Sequence, residues 1–435
     1  MNSLKKLLIL ILSFLTYLIF HSHFNNTKSE DNFEKLASSE LFFFNKTGYC
    51  DADQSFPDYN KINTDEYKLV QLHVFHRHGD RSPLHALKDK TNETEIWDRC
   101  GENSEIMTLT GDYPSRSFKR VVSIPEGIPA RGYWKGDCNP GQLTAIGHYQ
   151  TRKVGSLLNK MYMKSELWMS NKSPTSRDVF VRSTDVWRTI QSAQSLTSGF
   201  FPPDASKNDN EILDINVRPK NIDSLSVSIS HCKRLIKVLE ATKKNSITYQ
   251  KLEKIGDKLL ENLINLTGGN EHLDLIMFYD NLQSKVCHNM KLPIDDALFN
   301  KLGQLAFYFF NFEYGKQDFI EDARAWNIIL ELTENLELKE NNSKKIFLYS
   351  SHDTTVLSIL TLLGMDLKEW PPLISTISIE LLKSLKGEDY IIRYFFNRKE
   401  FFVPWCNSGN TDSKYCQLRN FIKNSRYLGR NVENC

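Results

Sequence analysis

Tyr67-Lys-Leu-Val-Gln-Leu-His-Val-Phe75 is rich in β-branched and aromatic residues and free of breakers, which predicts a buried strand. It stops at Arg77-His-Gly-Asp-Arg-Ser-Pro83, where Gly79 and Pro83 interrupt it. From Gln142 to Tyr162, Leu143, Ile146, Val154, Leu157, Leu158 and Met161 recur at helical spacing. Asp178-Val-Phe-Val181 predicts a short strand that leads into Arg182-Ser-Thr-Asp185. Asp185 is expected to cap a helix over Val186–Ser198, which Phe201-Pro-Pro203 ends. Residues from about Cys232 to Leu338 are rich in Lys, Glu, Leu and Ile and predict helices, with Phe307-Tyr-Phe-Phe310 in their core. Lys345-Ile-Phe-Leu-Tyr349 returns to a strand, closed by Ser351-His-Asp353. A helix follows over Thr354–Leu363 and ends at Gly364. Thr376–Leu382 and Tyr390–Phe396 predict two more strands. The polar stretch from about Ser22 to Asp65 reads as a loosely held lead-in, and Asn92–Gly136 as loop.

Strand–helix alternation at both ends of the chain, around a helical block, predicts an α/β domain with a helical insertion. The expected division is an α/β domain over 65–205 and 340–405, a mainly helical insertion over 206–339, and a cysteine-containing tail over 406–435. The polar motifs fall just after predicted strands, at the sheet edge where open α/β folds bind ligands.

The ends of the chain add a compartment. Lys5 and Lys6 precede an apolar run from Leu7 to Phe20, so residues 1–24 read as a secretory signal, with an uncleaved anchor as the minority reading. Either way the remainder crosses the membrane, toward secretion or the endolysosomal lumen, or stays as a single-pass type II protein. Eight cysteines without a C-x-x-C pair point to disulfides rather than zinc. Their pairing stays open, since eight cysteines permit on the order of a hundred connectivities. N-x-S/T sequons begin at Asn25, Asn45, Asn92, Asn171, Asn265 and Asn341 and give mild support for glycosylation. The 435 residues carry 55 basic and 53 acidic side chains, a balance that argues against a nucleic-acid coat.

The strand ends hold the chemistry. Arg77, His78 and Arg81 lie within five residues, and Gly79 between them permits a sharp turn. Guanidiniums bind phosphate oxygens bidentately and stay charged. A neutral imidazole beside a bound phosphoryl group attacks phosphorus and forms phosphohistidine. The cations answer the charge on the equatorial oxygens. Arg188, one turn after Arg182-Ser-Thr-Asp185, adds a third guanidinium. His352 adds a hydrogen bond to the phosphate, and Asp353 a carboxyl group to protonate the leaving alkoxide and then deprotonate water. Such an acid is protonated in an acidic lumen or beside a bound dianion.

Four segments resemble the histidine acid phosphatase family, the acid-phosphatase and phytase branch of the histidine phosphatase superfamily. They are Arg77-His-Gly-Asp-Arg-Ser-Pro83, Gly141-Gln-Leu-Thr-Ala-Ile-Gly-His-Tyr-Gln150, Val181-Arg-Ser-Thr-Asp-Val-Trp-Arg188 and Ser351-His-Asp-Thr-Thr355. They occur in the family's order within a stretch from about Tyr67 to Phe402. The resemblance implies a doubly wound mixed-sheet α/β domain with a mainly helical second domain inserted between Arg188 and His352. It implies His78 as nucleophile, Asp353 as proton donor, and Arg77, Arg81, Arg188 and His352 as the phosphate clamp. No metal and no cofactor is expected. The expected substrate is a small-molecule, glycan or lipid phosphate monoester. Nucleic acid is not an expected partner, and a homodimer or extracellular complex is left open. Thr354-Thr355 after the H-D pair is closer to the animal lysosomal and secreted acid phosphatases than to the phytases. Trp187 stands where many relatives carry a small or acidic residue.

Plainer readings compete at single positions. An arginine on a loop is usually a solvated charge. His73 and His76 lie on opposite faces of a strand, which ranks a metal cluster with His78 and His85 below a phosphate site. Arg182 reads as structural, tied to Asp185 or nearby carbonyls; Trp187 reads as core before substrate platform; His148 and Gln150 read as structural. At the level of function the alternative is a secreted binding or signalling subunit that keeps the fold with little turnover. A mutase of the same superfamily fits the signal segment and the H-D motif less well.

Overall fold

In the computed structural model, which describes residues 48–52, 62–87, 96–100, 134–202, 213–227, 233–267, 272–315, 325–407 and 415–430, the first strand runs from Tyr67 to Arg77 (β1). It extends past the predicted Phe75, so the first arginine of the motif belongs to the strand itself. β1 sits in the middle of a mixed sheet that also holds β2 (Val179–Thr184), β3 (Ile215–Arg218), β4 (Ile346–Ser351), β5 (Thr376–Ser384), β6 (Tyr390–Phe396), β7 (Lys399–Phe401) and β8 (Cys416–Gln417). The order is β3-β2-β4-β1-β5-β6-β7, with β8 on β6. Strands β3, β2, β4 and β1 are mutually parallel; β5 to β8 are antiparallel additions. Register sets the site: Arg77 pairs with Ser351, and Ser183 with Ser350, so the carboxyl ends of β1, β4 and β2 are level.

Both sheet faces are covered, which is why the parallel strands read as nearly continuous apolar runs. Alternate β1 residues enter different cores. Leu72 and Val74 pack with Val154 and Leu158 of α1 (Ala145–Tyr162) and Leu196 and Phe200 of α2 (Trp187–Phe200). Phe75 packs with Ile329 and Leu332 of α7 (Ala325–Glu337), Val356 and Ile359 of α8 (Asp353–Leu362), and Phe421 of α9 (Leu418–Leu428). Between these come α3 (Lys233–Asn245), α4 (Ile247–Thr267), α5 (Leu275–Cys287) and α6 (Asp296–Tyr314). They share a core of their own built from Leu259, Leu263, Phe278, Phe299, Leu302 and the predicted Phe307 and Phe310. The fold class is the expected one, a mixed-sheet α/β structure with a helical part. The stretch 206–339 also contains β3, paired with β2, and α7, which packs on the sheet.

Two local expectations change. Asp185 does not cap α2: the helix begins a residue later, its cap is Val186 without a side-chain bond, and Asp185 is exposed. The lead-in is not loose at Tyr49 and Ala52, which are buried. The tail folds back, with Cys406 bonded to Cys416 and α9 seated on the sheet core through Leu418 and Phe421. Cys50–Cys287 and Cys100–Cys138 are also paired, while Cys232 and Cys435 lie outside the described residues. So do the 1–24 segment, Asn25, Asn45 and Asn92; Asn171, Asn265 and Asn341 are exposed. Among the described residues, no helix is long and apolar enough to cross a membrane.

Candidate active site

The turn after β1 is pinned from all sides. The His78 amide donates to Ser351 O at 3.1 Å, and its carbonyl accepts from Ile374 N at 3.2 Å. The Gly79 amide donates to Ser192 Oγ at 3.1 Å, and the Asp80 amide to Gln150 Oε1 at 3.0 Å. Glycine is required at 79 by contact, not by the sharp turn expected from sequence: a Cβ there would lie 2.4 Å from Gly147 O, on α1. Asp80 accepts from Thr144 Oγ1 and His288 Nε2, the latter at 2.7 Å in a buried pair.

All six residues predicted for catalysis and phosphate binding converge on this turn. Arg77 is fully buried; it donates to Tyr49 Oη and to Pro371 O, each at 2.5 Å, and pairs with Asp353 Oδ2 at 3.0 Å. Asp353, first residue of α8, also accepts from Trp370 Nε1 at 2.9 Å and from the Thr354 amide at 2.9 Å. Arg81 pairs with Asp280 of α5 at 2.7 Å, and Asp280 holds the Leu84 amide with its other oxygen at 2.8 Å. Arg188 donates to His352 Nδ1 at 3.3 Å, which leaves His352 Nε2 to donate to Thr184 Oγ1 at 3.0 Å. Both ring nitrogens of His352 are therefore engaged without ligand, and a contact to phosphate needs Arg188 to release it. The His78 and His352 rings meet edge to face, centroids 5.7 Å apart.

His78 is set up as a neutral base. Its Nδ1 lies 2.8 Å from Gly79 O, a pure acceptor, so Nδ1 carries the proton and Nε2 the lone pair. Burial first, then the charges of Arg188, Arg77 and Arg81, push its pKa well below the ordinary histidine value. Burial likewise lowers His352 to about 3, with Arg188 adding to the effect. Burial and the neighbouring Arg81 bring even the Arg188 guanidinium down to about 10. Arg77 and Arg81, both buried, face the carboxylates Asp353 and Asp280, and the half-buried Arg188 adds a positive charge that no carboxylate of the cluster balances. The Nε–H groups of all three arginines are buried with no partner among the described residues. Positive charge largely removed from water in this way favours an entering anion. Burial raises the Asp353 carboxyl, but Arg77, the Trp370 hydrogen bond and Arg81 outweigh it and hold its pKa below the ordinary value.

Sequence reasoning missed Tyr49, Asp280, Thr184 and Trp370. Tyr49 carried only the signal of its neighbour Cys50, and Asp280 sits in a helical run with no motif. Trp187 departs from the expected core role: it is 67% exposed, beside Arg188. Arg182 is structural as expected, but its partners are Asp223, Ser224 and Glu331 rather than Asp185.

A sequence model of the histidine phosphatase superfamily, branch 2, matches residues 68–397. The chain is similar to counting factor 60 of Dictyostelium discoideum, 27% identical over 375 residues that cover 83% of this chain and 86% of that one. It is 27% identical to lysosomal acid phosphatase of Xenopus laevis over 372 residues, covering 82% and 75% of the two chains. Among solved structures, the apo form of Hafnia alvei phytase superposes with a TM-score of 0.55 at 14% identity, covering 87% of this chain and 98% of the phytase; that likeness is one of fold.

Proposed function

The chain belongs to branch 2 of the histidine phosphatase superfamily, the histidine acid phosphatases, and from this premise we propose that it hydrolyses phosphate monoesters through a phosphohistidine on His78. The observation that carries the reading is the 2.8 Å contact of His78 Nδ1 with Gly79 O: it assigns the proton to Nδ1 and leaves the Nε2 lone pair on a neutral ring among three guanidiniums. Arg77, Arg81 and Arg188 hold the phosphoryl oxygens, with His352 joining once Arg188 turns to the ligand. Nε2 attacks phosphorus and the ester P–O bond breaks. Asp353 gives its proton to the departing oxygen. The resulting carboxylate takes a proton from water, whose oxygen attacks phosphorus, breaks the P–N bond and releases phosphate with His78 neutral again. Steric room for the ester group, and so the choice among small-molecule, glycan and lipid esters, lies with the helical part and the loops around it. The signal-like segment and the disulfides support work in the secretory route or the endolysosomal lumen.

One relative is named a counting factor rather than a phosphatase, which motivates a second reading, a secreted binding or signalling subunit that keeps the fold with little or no turnover. An inactive relative commonly loses its nucleophile or acid, and this chain keeps both. The decisive assay uses the protein from a secretory host with an aryl phosphate at about pH 5, in the carboxyl range, beside His78→Ala. Turnover by wild type that falls to background in His78→Ala is the expected result. Folded wild type that binds inorganic phosphate but is as inert as His78→Ala leaves the binding subunit standing instead.

A further inference from the structure

Tyr49 reaches the cluster from a segment that a disulfide holds down. Its hydroxyl accepts from Arg77 Nη2, and the Arg77 guanidinium carbon stands 4.7 Å from the centre of its ring. The ring packs edge-on against Tyr279 of α5 and is 9% exposed. The next residue, Cys50, is bonded to Cys287, the last residue of α5 and 237 positions away. Non-covalent ties to this segment include Leu373 N to Tyr49 O at 2.8 Å, Ala52 N to Leu373 O at 3.1 Å and Gln150 Nε2 to Cys50 O at 2.8 Å.

The same helix carries Asp280, two turns before Cys287. Thus α5 governs both arginines of the motif: Arg81 directly through Asp280, and Arg77 through the disulfide and Tyr49. The consequence for Arg77 is one of competition. Its Nη2 serves both Tyr49 and Asp353. Without the phenol, the buried guanidinium has the acid as the remaining partner of that nitrogen and is drawn further onto it, away from a phosphate. Burial keeps the phenol protonated against the pull of Arg77, so Tyr49 accepts from Arg77 as a neutral group that does not repel the substrate dianion.

We propose that Tyr49 is a positioning residue for Arg77 and that the Cys50–Cys287 disulfide is the strap that delivers it, so the disulfide supports turnover through Tyr49 and not only through the stability of the fold. This rests on the phosphatase reading of the site. A disulfide closing a long loop also stabilises the fold on its own account, and the two roles separate in a double-mutant cycle. Tyr49→Phe is expected to lower kcat/KM about tenfold and to raise the inhibition constant of inorganic phosphate by a similar factor, the size of a lost hydrogen bond to a charged group, with its melting temperature little changed. Cys50→Ser with Cys287→Ser is expected to cause the same kinetic loss and, in addition, a lower melting temperature. Combining all three substitutions is expected to give no further kinetic loss. Kinetic losses that multiply overturn the proposal, as does a Tyr49→Phe enzyme with wild-type phosphate inhibition. Should the serine variant fail to fold, one glycine inserted between Tyr49 and Cys50 keeps the disulfide and displaces the ring; the strap requires it to match Tyr49→Phe, and wild-type kinetics sink the idea. If the wild type shows no turnover, the phosphatase reading fails separately, and the same cycle run on phosphate affinity still decides the strap.

Discussion

The role proposed for Asp353 places two opposed demands on it. An acid must carry a proton, yet the unliganded site holds this carboxyl below its ordinary range, because Arg77, Trp370 and Arg81 outweigh the effect of burial. A phosphate dianion between the guanidiniums cancels much of their pull and adds a negative neighbour, so proton uptake accompanies substrate binding. The pH dependence of kcat/KM reports the free enzyme and that of kcat the complex. The limb that Asp353 gives to kcat is therefore expected at higher pH than its free-state pKa, with kcat falling as pH rises through it. Asp353→Asn separates acid from base. With an alkyl phosphate, whose alkoxide leaves poorly, turnover is expected to fall by about two to four powers of ten. With a nitrophenyl phosphate the leaving group departs unaided, so the first step survives while water attack does not. Rapid mixing of Asp353→Asn with the nitrophenyl ester is expected to give a burst of phenolate near one per site and an acid-labile phosphoprotein. Equal losses on both esters, without a burst, would remove Asp353 from the acid role.

The turn that carries His78 depends on two elements meeting without side chains. Gly79 after β1 and Gly147 on α1 are in backbone contact, and a Cβ on Gly147 would lie 2.2 Å from Asp80 O. That neighbour is main chain and cannot swing aside. Gly147→Ala is therefore expected to destabilise by about 1–3 kcal/mol through overpacking and to lower kcat/KM at temperatures where the variant is fully folded, since relief must move Asp80 and the turn. Gly387→Ala, with nothing within 4 Å, is the neutral control. Thermal unfolding and kinetics of the two variants test this, and wild-type kinetics in Gly147→Ala would show that the turn tolerates the shift. The Gly79–Gly147 contact marks the limit of what was legible. The sequence made the elements plain where each one announces itself locally: β1, β2 and β4 as breaker-free apolar runs, and the six polar residues at their ends. It hid what depends on distance along the chain. Tyr49 meets Arg77 across 28 positions and Asp280 meets Arg81 across 199, and neither partner lies in a pattern of its own. β3 was missed for a different reason: Ile215-Asn-Val-Arg218 is a short edge strand with three exposed residues, so it has no apolar run to read.

At the scale of the whole molecule, the acid conditions that the proposed chemistry calls for act against the fold. Burial pushes His73 down to about 3, His76 to about 4 and His352 to about 3, and holds His78 well below its ordinary value. The folded protein keeps these rings neutral, whereas the unfolded chain binds a proton at each near pH 6.5. Their folded values are depressed, so for a base the unfolded state gains protons first as pH falls. The contribution of these rings is full above about pH 6.5 and declines from there toward the folded values, by about 2 kcal/mol at pH 5 for each of His73 and His76. The depressed carboxyl of Asp353 works in the same direction at lower pH, since its stabilisation is lost as it protonates. Three disulfides among the described residues and a bound anion oppose the loss. His73 isolates one contribution: it is fully buried, stacks on Phe347 with centroids 4.3 Å apart, and lies outside the cluster of six residues around His78. His73→Phe keeps a ring in that stack but removes the titrating group. Its absolute stability is expected to drop, because Gln71 Oε1 loses its partner at 3.0 Å. The slope of unfolding free energy against pH between about 6 and 4 is nevertheless expected to flatten by one proton's worth, about 1.4 kcal/mol per pH unit. Denaturant unfolding of both proteins across that range reads the slope directly; an unchanged slope would mean that His73 is already protonated in the fold, and that acid stability is set elsewhere.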